Sequence, residues 1–275
     1  MTTPARNHGA EVAPAIAFDA VSARFATPAR GVHTAVRDIT LAVEEGRFVA
    51  IVGPSGCGKT TLLNLAAGLI ATPEGSVRVF GELLRGINRH AAYLFQQDAL
   101  LPWRSVLDNV RLGLDFRHVP PAEANGRARD AIARVGLQGF EDRFPHQLSG
   151  GMRKRVAIAQ SWIVDPRILL MDEPFGALDV QTRQNMENEL LGLWQESRKT
   201  VLFITHDLEE AIALADRVVV MTAGPGRIKG VYDVTLPRPR DVVEIRLNPE
   251  FATLYRQVWA DLRDEVRRSF RAGES

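Results

Sequence analysis

A single cysteine, Cys57, stands in 275 residues. That excludes an internal disulfide and suits a reducing compartment. No apolar stretch approaches the roughly 20 residues that a membrane-spanning helix needs. Charge of one sign is also missing: 34 Lys and Arg against 33 Asp and Glu leave a formal net charge of +1. So small a sum gives no general attraction to nucleic acid or anionic lipid, although it does not address local patches. The first residues, Met1 to Pro14, are polar and lack the apolar core of a signal peptide, so 1–14 read as a disordered lead. There is no internal repeat, low-complexity segment, heptad run or cysteine cluster. These absences together point to the cytoplasm.

What is present is ordinary soluble-protein composition, 45% hydrophobic and 24% charged, in a chain long enough to bury a substantial core. Short apolar runs predict strands at Ile16–Phe25, Ile39–Val43, Phe48–Val52, Ser76–Phe80, Ala92–Phe95, Ile168–Met171, Val201–Ile204 and Val218–Met221. Loops or turns are expected at Thr27–Gly31 and at Pro73-Glu74-Gly75. Helical patterns follow Lys59, fill Asp98 to about Val164, and recur over Val180–Gln195 and Leu208–Leu214. Such alternation implies an α/β fold, a parallel sheet with helices on its faces, with the helical stretch inserted as a subdomain. In the tail, Asn248-Pro249 is a helix start. Phe251, Leu254, Tyr255, Val258, Trp259, Leu262 and Val266 then share one face, expected to pack on the domain.

Gly53-Pro54-Ser55-Gly56-Cys57-Gly58-Lys59-Thr60 fits the phosphate-loop pattern at every fixed position, between a strand and a helix. Its glycines let backbone N–H groups turn inward on a phosphate chain, and the helix N-terminus adds a favourable dipole. Lys59 would bridge the β- and γ-phosphates, and the Thr60 hydroxyl would ligate Mg²⁺. Ile168 to Asp172-Glu173 is a buried strand ending in two acids. Asp172 would support the metal and Glu173 would act as general base toward water. Ser149-Gly150-Gly151, opening the helical run from Arg153, forms a second anion-binding helix start. Cys57 reads first as a small residue that simply fits the loop; the alternative is that the nearby helix N-terminus lowers its thiol pKa and that a bound nucleotide shields it from alkylation.

These motifs, in this order, resemble the ATP-binding subunits of ABC transporters from Ile16 to about Pro239. The resemblance implies a phosphate-loop, RecA-like ABC ATPase core over 15–245. That core would carry an antiparallel β-subdomain, an α-helical subdomain inserted at about 98–165, and a C-terminal amphipathic helix at 246–275. It implies ATP and Mg²⁺ as cofactors. Two copies would sandwich two ATPs head to tail, each phosphate loop closed by the other copy's Ser149, Gly150 and Gly151. Phe25 would stack on adenine. Gln96 rather than its neighbour Gln97 would contact Mg²⁺ and the attacking water. Asp179 would cross the dimer interface, His206 would touch the γ-phosphate, and Thr61 completes the nucleotide-binding set. Gln96 to Leu114 would receive a helix of the permease.

Gln96 to Trp103, Met152, Trp194-Gln-Glu, Ala223 to Arg227 and Leu236 to Pro239 look like the importer branch for nitrate, taurine and alkanesulfonates. The partners implied are a two-copy transmembrane permease and a separate solute-binding protein, with no nucleic acid. The subunit would sit on the cytoplasmic face of the inner membrane, held by the permease. No further C-terminal barrel domain is expected. An importer ATPase for another small organic, such as a vitamin precursor, is the alternative, and an ABC ATPase acting on nucleic acid a more distant one. Ala159-Gln160-Ser161-Trp162 departs from the family's Ala-Arg-Ala-Leu pattern at its last three positions and must repack the helix behind Ser149.

Overall fold

The computed structural model describes residues 13–26 and 31–273. Most of the 1–14 lead and of the Thr27–Gly31 loop lies outside that range. A six-stranded sheet runs in the order β10-β9-β3-β8-β7-β6. Its strands are β3 (Phe48–Val52), β6 (Ala91–Leu94), β7 (Ile168–Asp172), β8 (Thr200–Thr205), β9 (Arg217–Met221) and β10 (Ile228–Asp233). The pairings among β9, β3, β8, β7 and β6 are parallel, and β10 joins β9 antiparallel. A second, antiparallel sheet has the order β2-β1-β4-β5, from β1 (Ile16–Ala26), β2 (Val32–Val43), β4 (Glu74–Val79) and β5 (Glu82–Leu83).

The parallel strands read as unbroken apolar runs because both faces are covered. Phe48, Ala50 and Val52 of β3 enter one core and Val49 and Ile51 the other. The same alternation splits Leu169 and Met171 of β7 from Ile168 and Leu170. One core includes the helical layers. The other is filled by α1 (Lys59–Ala67), whose Leu62, Leu63 and Leu65 are packed between the large sheet and the antiparallel one. In the first core the rings of Phe203 and Trp194 pack on Phe48 at 5.6 and 5.8 Å. Each ring, fully buried, contributes about 1.5–3 kcal/mol.

Between β6 and β7 the chain forms α2 (Val106–Phe116), α3 (Pro121–Arg134) and α4 (Gly150–Trp162). The expected helical stretch therefore resolves into three helices. α5 (Val180–Ser197) and α6 (Leu208–Leu214) complete the inner layer. Glu74 and Gly75, expected in a turn, begin β4, because β1 runs antiparallel alongside, with Ser22 opposite Glu74 and Asp19 opposite Ser76. β10 and the long first half of β2 are additions to the expected elements.

α7 (Pro249–Gly273) starts where Asn248 Oδ1 accepts the Glu250 N–H at 2.8 Å. Phe251, Val258 and Leu262 are buried, while Trp259 is 38% exposed and leaves the expected apolar face. Glu265, instead, is buried. It accepts from the Ala223 N–H at 3.0 Å and from Lys229 Nζ at 2.9 Å, fastening α7 to the segment after β9.

Candidate active site

Strand register brings the motifs to one edge. β3 pairs with β8 so that Val52 faces Thr205, which sets the loop after β3 beside His206. β7 pairs with β8 so that Asp172 faces Ile204, and Glu173 N–H donates to the Ile204 carbonyl at 2.9 Å. β6 pairs with β7 so that Leu94 faces Met171, which puts Gln96 next to the two acids. All four segments leave C-terminal strand ends, where parallel α/β sheets bind ligands.

In the phosphate loop, Gly53, Pro54, Cys57 and Lys59 are buried, Gly58 and Thr61 half-buried, and Ser55, Gly56 and Thr60 exposed. Gly58 has φ 93°, and a Cβ there would stand 2.5 Å from Val36 Cγ1 and 2.7 Å from the Ala35 carbonyl oxygen. Only glycine fits, on both counts. Lys59 Nζ donates to the carbonyls of Gly53 at 2.8 Å and Pro54 at 3.1 Å.

Glu173 is where the side chains converge. Its Oε2 lies 3.0 Å from His206 Nδ1 and accepts from Gln96 Nε2 at 3.4 Å. Its Oε1 is 3.9 Å from Lys59 Nζ. Its backbone sits at φ 41°, the left-handed region. A non-glycine residue is held there at a cost of about 1–3 kcal/mol, and the N–H bond to Ile204 fixes it. Gln97 lies elsewhere, in a groove with Phe95, Phe116 and Gln160.

Asp172 is 8% exposed, and the Thr60 hydroxyl donates to its Oδ1 at 3.2 Å. Burial pushes its carboxyl above the usual range, and the neighbouring Glu173 charge adds to that. Its Oδ2 lies 3.5 Å from the Tyr93 hydroxyl, which is also 3.3 Å from Asn64 Oδ1. One proton serves one of those acceptors at a time. Tyr93 is the residue that the motifs do not disclose: its only sequence signal is a place on the strand two residues before Phe95. Burial and Asp172 together drive the Tyr93 pKa far up, so it stays a donor. The hydroxyl, carboxamide and carboxylate of Thr60, Gln96 and Asp172 are hard oxygen donors of the kind Mg²⁺ takes. A cation there also relieves the desolvated Asp172 charge. Among the described residues no group of three or more His, Cys, Asp or Glu side chains is placed to hold a metal ion.

Cys57 departs from the lowered-pKa alternative. The thiol is 1% exposed, and burial raises its pKa, outweighing the Lys59 charge and the N–H groups that pull it down. An acidic, accessible thiol is therefore corrected to a buried, protonated one.

Ser149 caps α4, its Oγ accepting from Met152 N–H at 3.2 Å, and Gly150 and Gly151 form the first turn. Asp179 caps α5, accepting from Thr182 N–H at 3.0 Å. The two caps are neighbours, since a Cβ on Gly151 would come 2.8 Å from Thr182 Cγ2. Ser149 bonds to none of the phosphate-loop residues within the described chain. Phe25, on β1 opposite His33, is 40% exposed and so is not a core residue. At the departure in α4, the helix continues unbroken through Trp162, and the Ser161 hydroxyl donates back to the Ala157 carbonyl at 2.8 Å.

The ABC transporter family model matches residues 36–176. The chain belongs to that family. It is an ABC-type, ATP-binding ATPase. An uncharacterised ABC transporter ATP-binding protein of Methanocaldococcus jannaschii is 49% identical over 86% of this chain and 87% of its own. The nitrate import ATP-binding protein NrtD of Synechococcus elongatus is 42% identical over 86% of this chain and 87% of its own. The taurine import ATP-binding protein TauB of Shigella boydii is 46% identical over 72% and 78%. A dimeric ABC cassette solved in a post-hydrolysis state with ADP and Pi superposes with a TM-score of 0.72 at 29% identity. That match covers 81% of this chain and all of the cassette. The cavity of about 460 Å³ between α3, α4 and α5, lined in part by Trp162, contains none of the motif residues.

Proposed function

We propose that this ABC ATPase powers import of a small solute, an anion such as nitrate or a sulfonate including taurine. It would work as a homodimer on the cytoplasmic face of the membrane, bound to a two-copy permease that is supplied by a solute-binding protein. The observation that carries the catalytic part is the convergence of Lys59, Gln96 and His206 on the Glu173 carboxylate. Kinship with the nitrate and taurine import proteins supports the importer part. No helix among the described residues is long and apolar enough to cross a membrane, consistent with attachment through a partner.

In this reading Gly53 to Thr61 wrap the ATP phosphates with backbone N–H groups, and Lys59 exchanges its two carbonyl partners for phosphate oxygens. Phe25 stacks on the adenine. Thr60, Gln96 and Asp172 would hold Mg²⁺, which neutralises phosphate charge when bound. Glu173 orients water and accepts its proton. His206, hydrogen-bonded to Glu173, steadies that carboxylate and reaches toward the γ-phosphate. Ser149, Gly150 and Gly151 of a second copy complete the site, and Asp179 crosses the interface. The ATP-binding domain is taken as 15–245 with the helical subdomain at about 98–165, and 246–275 as an appended helix.

The test is specific ATPase activity against protein concentration, with Ser149→Phe alongside. Activity per chain should rise with concentration, and Ser149→Phe should lose turnover while still binding ATP. Flat activity per chain, or a fully active Ser149→Phe, overturns the shared site.

A further inference from the structure

Lys154 has no role in the site described so far. It is the fifth residue of α4, the helix that begins at Ser149, and only 4% of it is exposed. A cation near a helix N-terminus opposes the helix dipole, and here Arg153 and Arg155 flank it with no acid in the first turn. Burying a charge there is unfavourable unless partners compensate it. The partners all belong to one segment. Lys154 Nζ donates to the Gln96 carbonyl at 3.2 Å and more weakly to the Phe95 carbonyl at 3.5 Å. It forms an ion pair with Asp98 Oδ1 at 2.8 Å. That oxygen has no hydrogen bond of good direction, so the contact counts as an ion pair only. Arg153 Nε adds a second contact to Asp98, at 3.4 Å to Oδ2.

We propose that Lys154 is a positioning residue for hydrolysis. It clamps the Phe95–Asp98 segment to the helix carrying Ser149, so that the Gln96 carboxamide stays aimed at Glu173. Three contacts from one ammonium group hold both sides of the Gln96 peptide, while the Gln96 side chain, exposed at the edge, has among the described residues only its 3.4 Å bond to Glu173. Without the clamp the backbone of Gln96 is free to rotate and its side chain loses aim. A second consequence follows from connectivity. A force on the Gln96 segment moves the start of α4 with it, so the two halves of neighbouring sites shift as one body. The inference rests on the proposed roles of Gln96 and Glu173, and it adds the residue that holds Gln96.

The experiment uses the full chain with Lys154→Met, and with Asp98→Asn combined with Lys154→Met so that no unpaired buried charge remains. Hydrogen exchange of residues 95–99 reports the clamp without reference to catalysis. Both variants should speed exchange there by about tenfold or more, the loss of a charge-assisted hydrogen bond, and leave 53–60 unchanged. Unchanged exchange at 95–99 overturns the clamp. Turnover should fall about tenfold with KM within about threefold. In a Gln96→Ala background Lys154→Met should cost little more, because both act through one group. A full additional loss in that background overturns positioning through Gln96 even if the clamp exists. If Gln96→Ala alone keeps normal turnover, the role given to Gln96 fails, and the positioning role fails with it, whereas the exchange result still reports the clamp.

Discussion

Glu173→Gln separates binding from chemistry, and the geometry says by how much. The new side chain is the same size with one acceptor oxygen and one amide nitrogen. With its oxygen at the place of Oε2, it keeps both the 3.4 Å bond from Gln96 and the 3.0 Å contact to His206. The amide nitrogen then points toward Lys59, whose only loss is an ion pair already stretched to 3.9 Å. A pair that long is beyond hydrogen-bonding distance and is a weak contact. Removing the negative charge leaves Lys59 more available to phosphate, so nucleotide affinity should hold within about threefold, roughly 0.7 kcal/mol, or tighten. The lost proton acceptor is a different matter. General-base removal costs about 10²–10⁴ in rate, roughly 3–5 kcal/mol. Titration with a fluorescent ATP analogue and steady-state phosphate release measure the two quantities on one preparation. ATP should also hold the variant as a dimer in sedimentation. Turnover within about threefold of the parent chain would refute the base assignment. An affinity loss as large as the rate loss would instead make Glu173 a support of the loop.

Three other outcomes follow from the same side chains. Lys59→Ala should weaken nucleotide binding by about tenfold to a hundredfold, since a buried ammonium facing the loop is removed; titration with the same analogue reads it. Cys57 should alkylate slowly in the native chain with or without Mg-ATP and rapidly in denaturant; native labelling as fast as a free thiol would contradict its burial. Glu210 is buried beside Glu187, Asp207 and Arg183, and burial raises its pKa to about 8 from an ordinary 4.5. Between those values the folded chain keeps a proton that the unfolded chain has released, so stability falls as pH rises through that window and levels above about 8. Glu210→Gln should therefore raise the unfolding free energy at pH 8.5, by up to about a few kcal/mol, and change it little at pH 5, read by denaturant titration. An equal shift at both pH values would remove the linkage.

How much of this was legible in the sequence depends on whether the controlling contact is local. The apolar runs of β3, β7, β8 and β9 are unmistakable because two cores cover them. Gly58 and Lys59 declare a loop by their own chemistry. β10 is harder to read because Ile228–Asp233 is half exposed at a sheet edge and carries Lys229, Gly230 and Asp233, giving no apolar run. The lowered-pKa alternative for Cys57 rests on a helix start, which is a local feature, whereas the burial that outweighs it comes from the whole core around α1. Tyr93 and Lys154 escaped for the same reason. One looks like an ordinary strand aromatic, the other like a solvated helix cation, until Asp172 and Asp98 arrive from elsewhere in the chain.

The site itself is set by register rather than by any motif. Val52 faces Thr205, Asp172 faces Ile204, and Leu94 faces Met171. A slip of one residue in β7 against β8 would exchange its two buried faces, sending Leu169 and Met171 into the core of Ile168 and Leu170. It would also displace Glu173 by about 3.3 Å, the rise of one strand residue. That exceeds the tolerance of a 3.0 Å contact to His206 and a 3.4 Å bond to Gln96. Packing of Leu169, Leu170 and Met171 on two cores therefore positions the Glu173 carboxylate from inside the sheet. Substitutions that keep their volume and alternation should leave the Glu173 cluster intact, whatever happens to the loops around it.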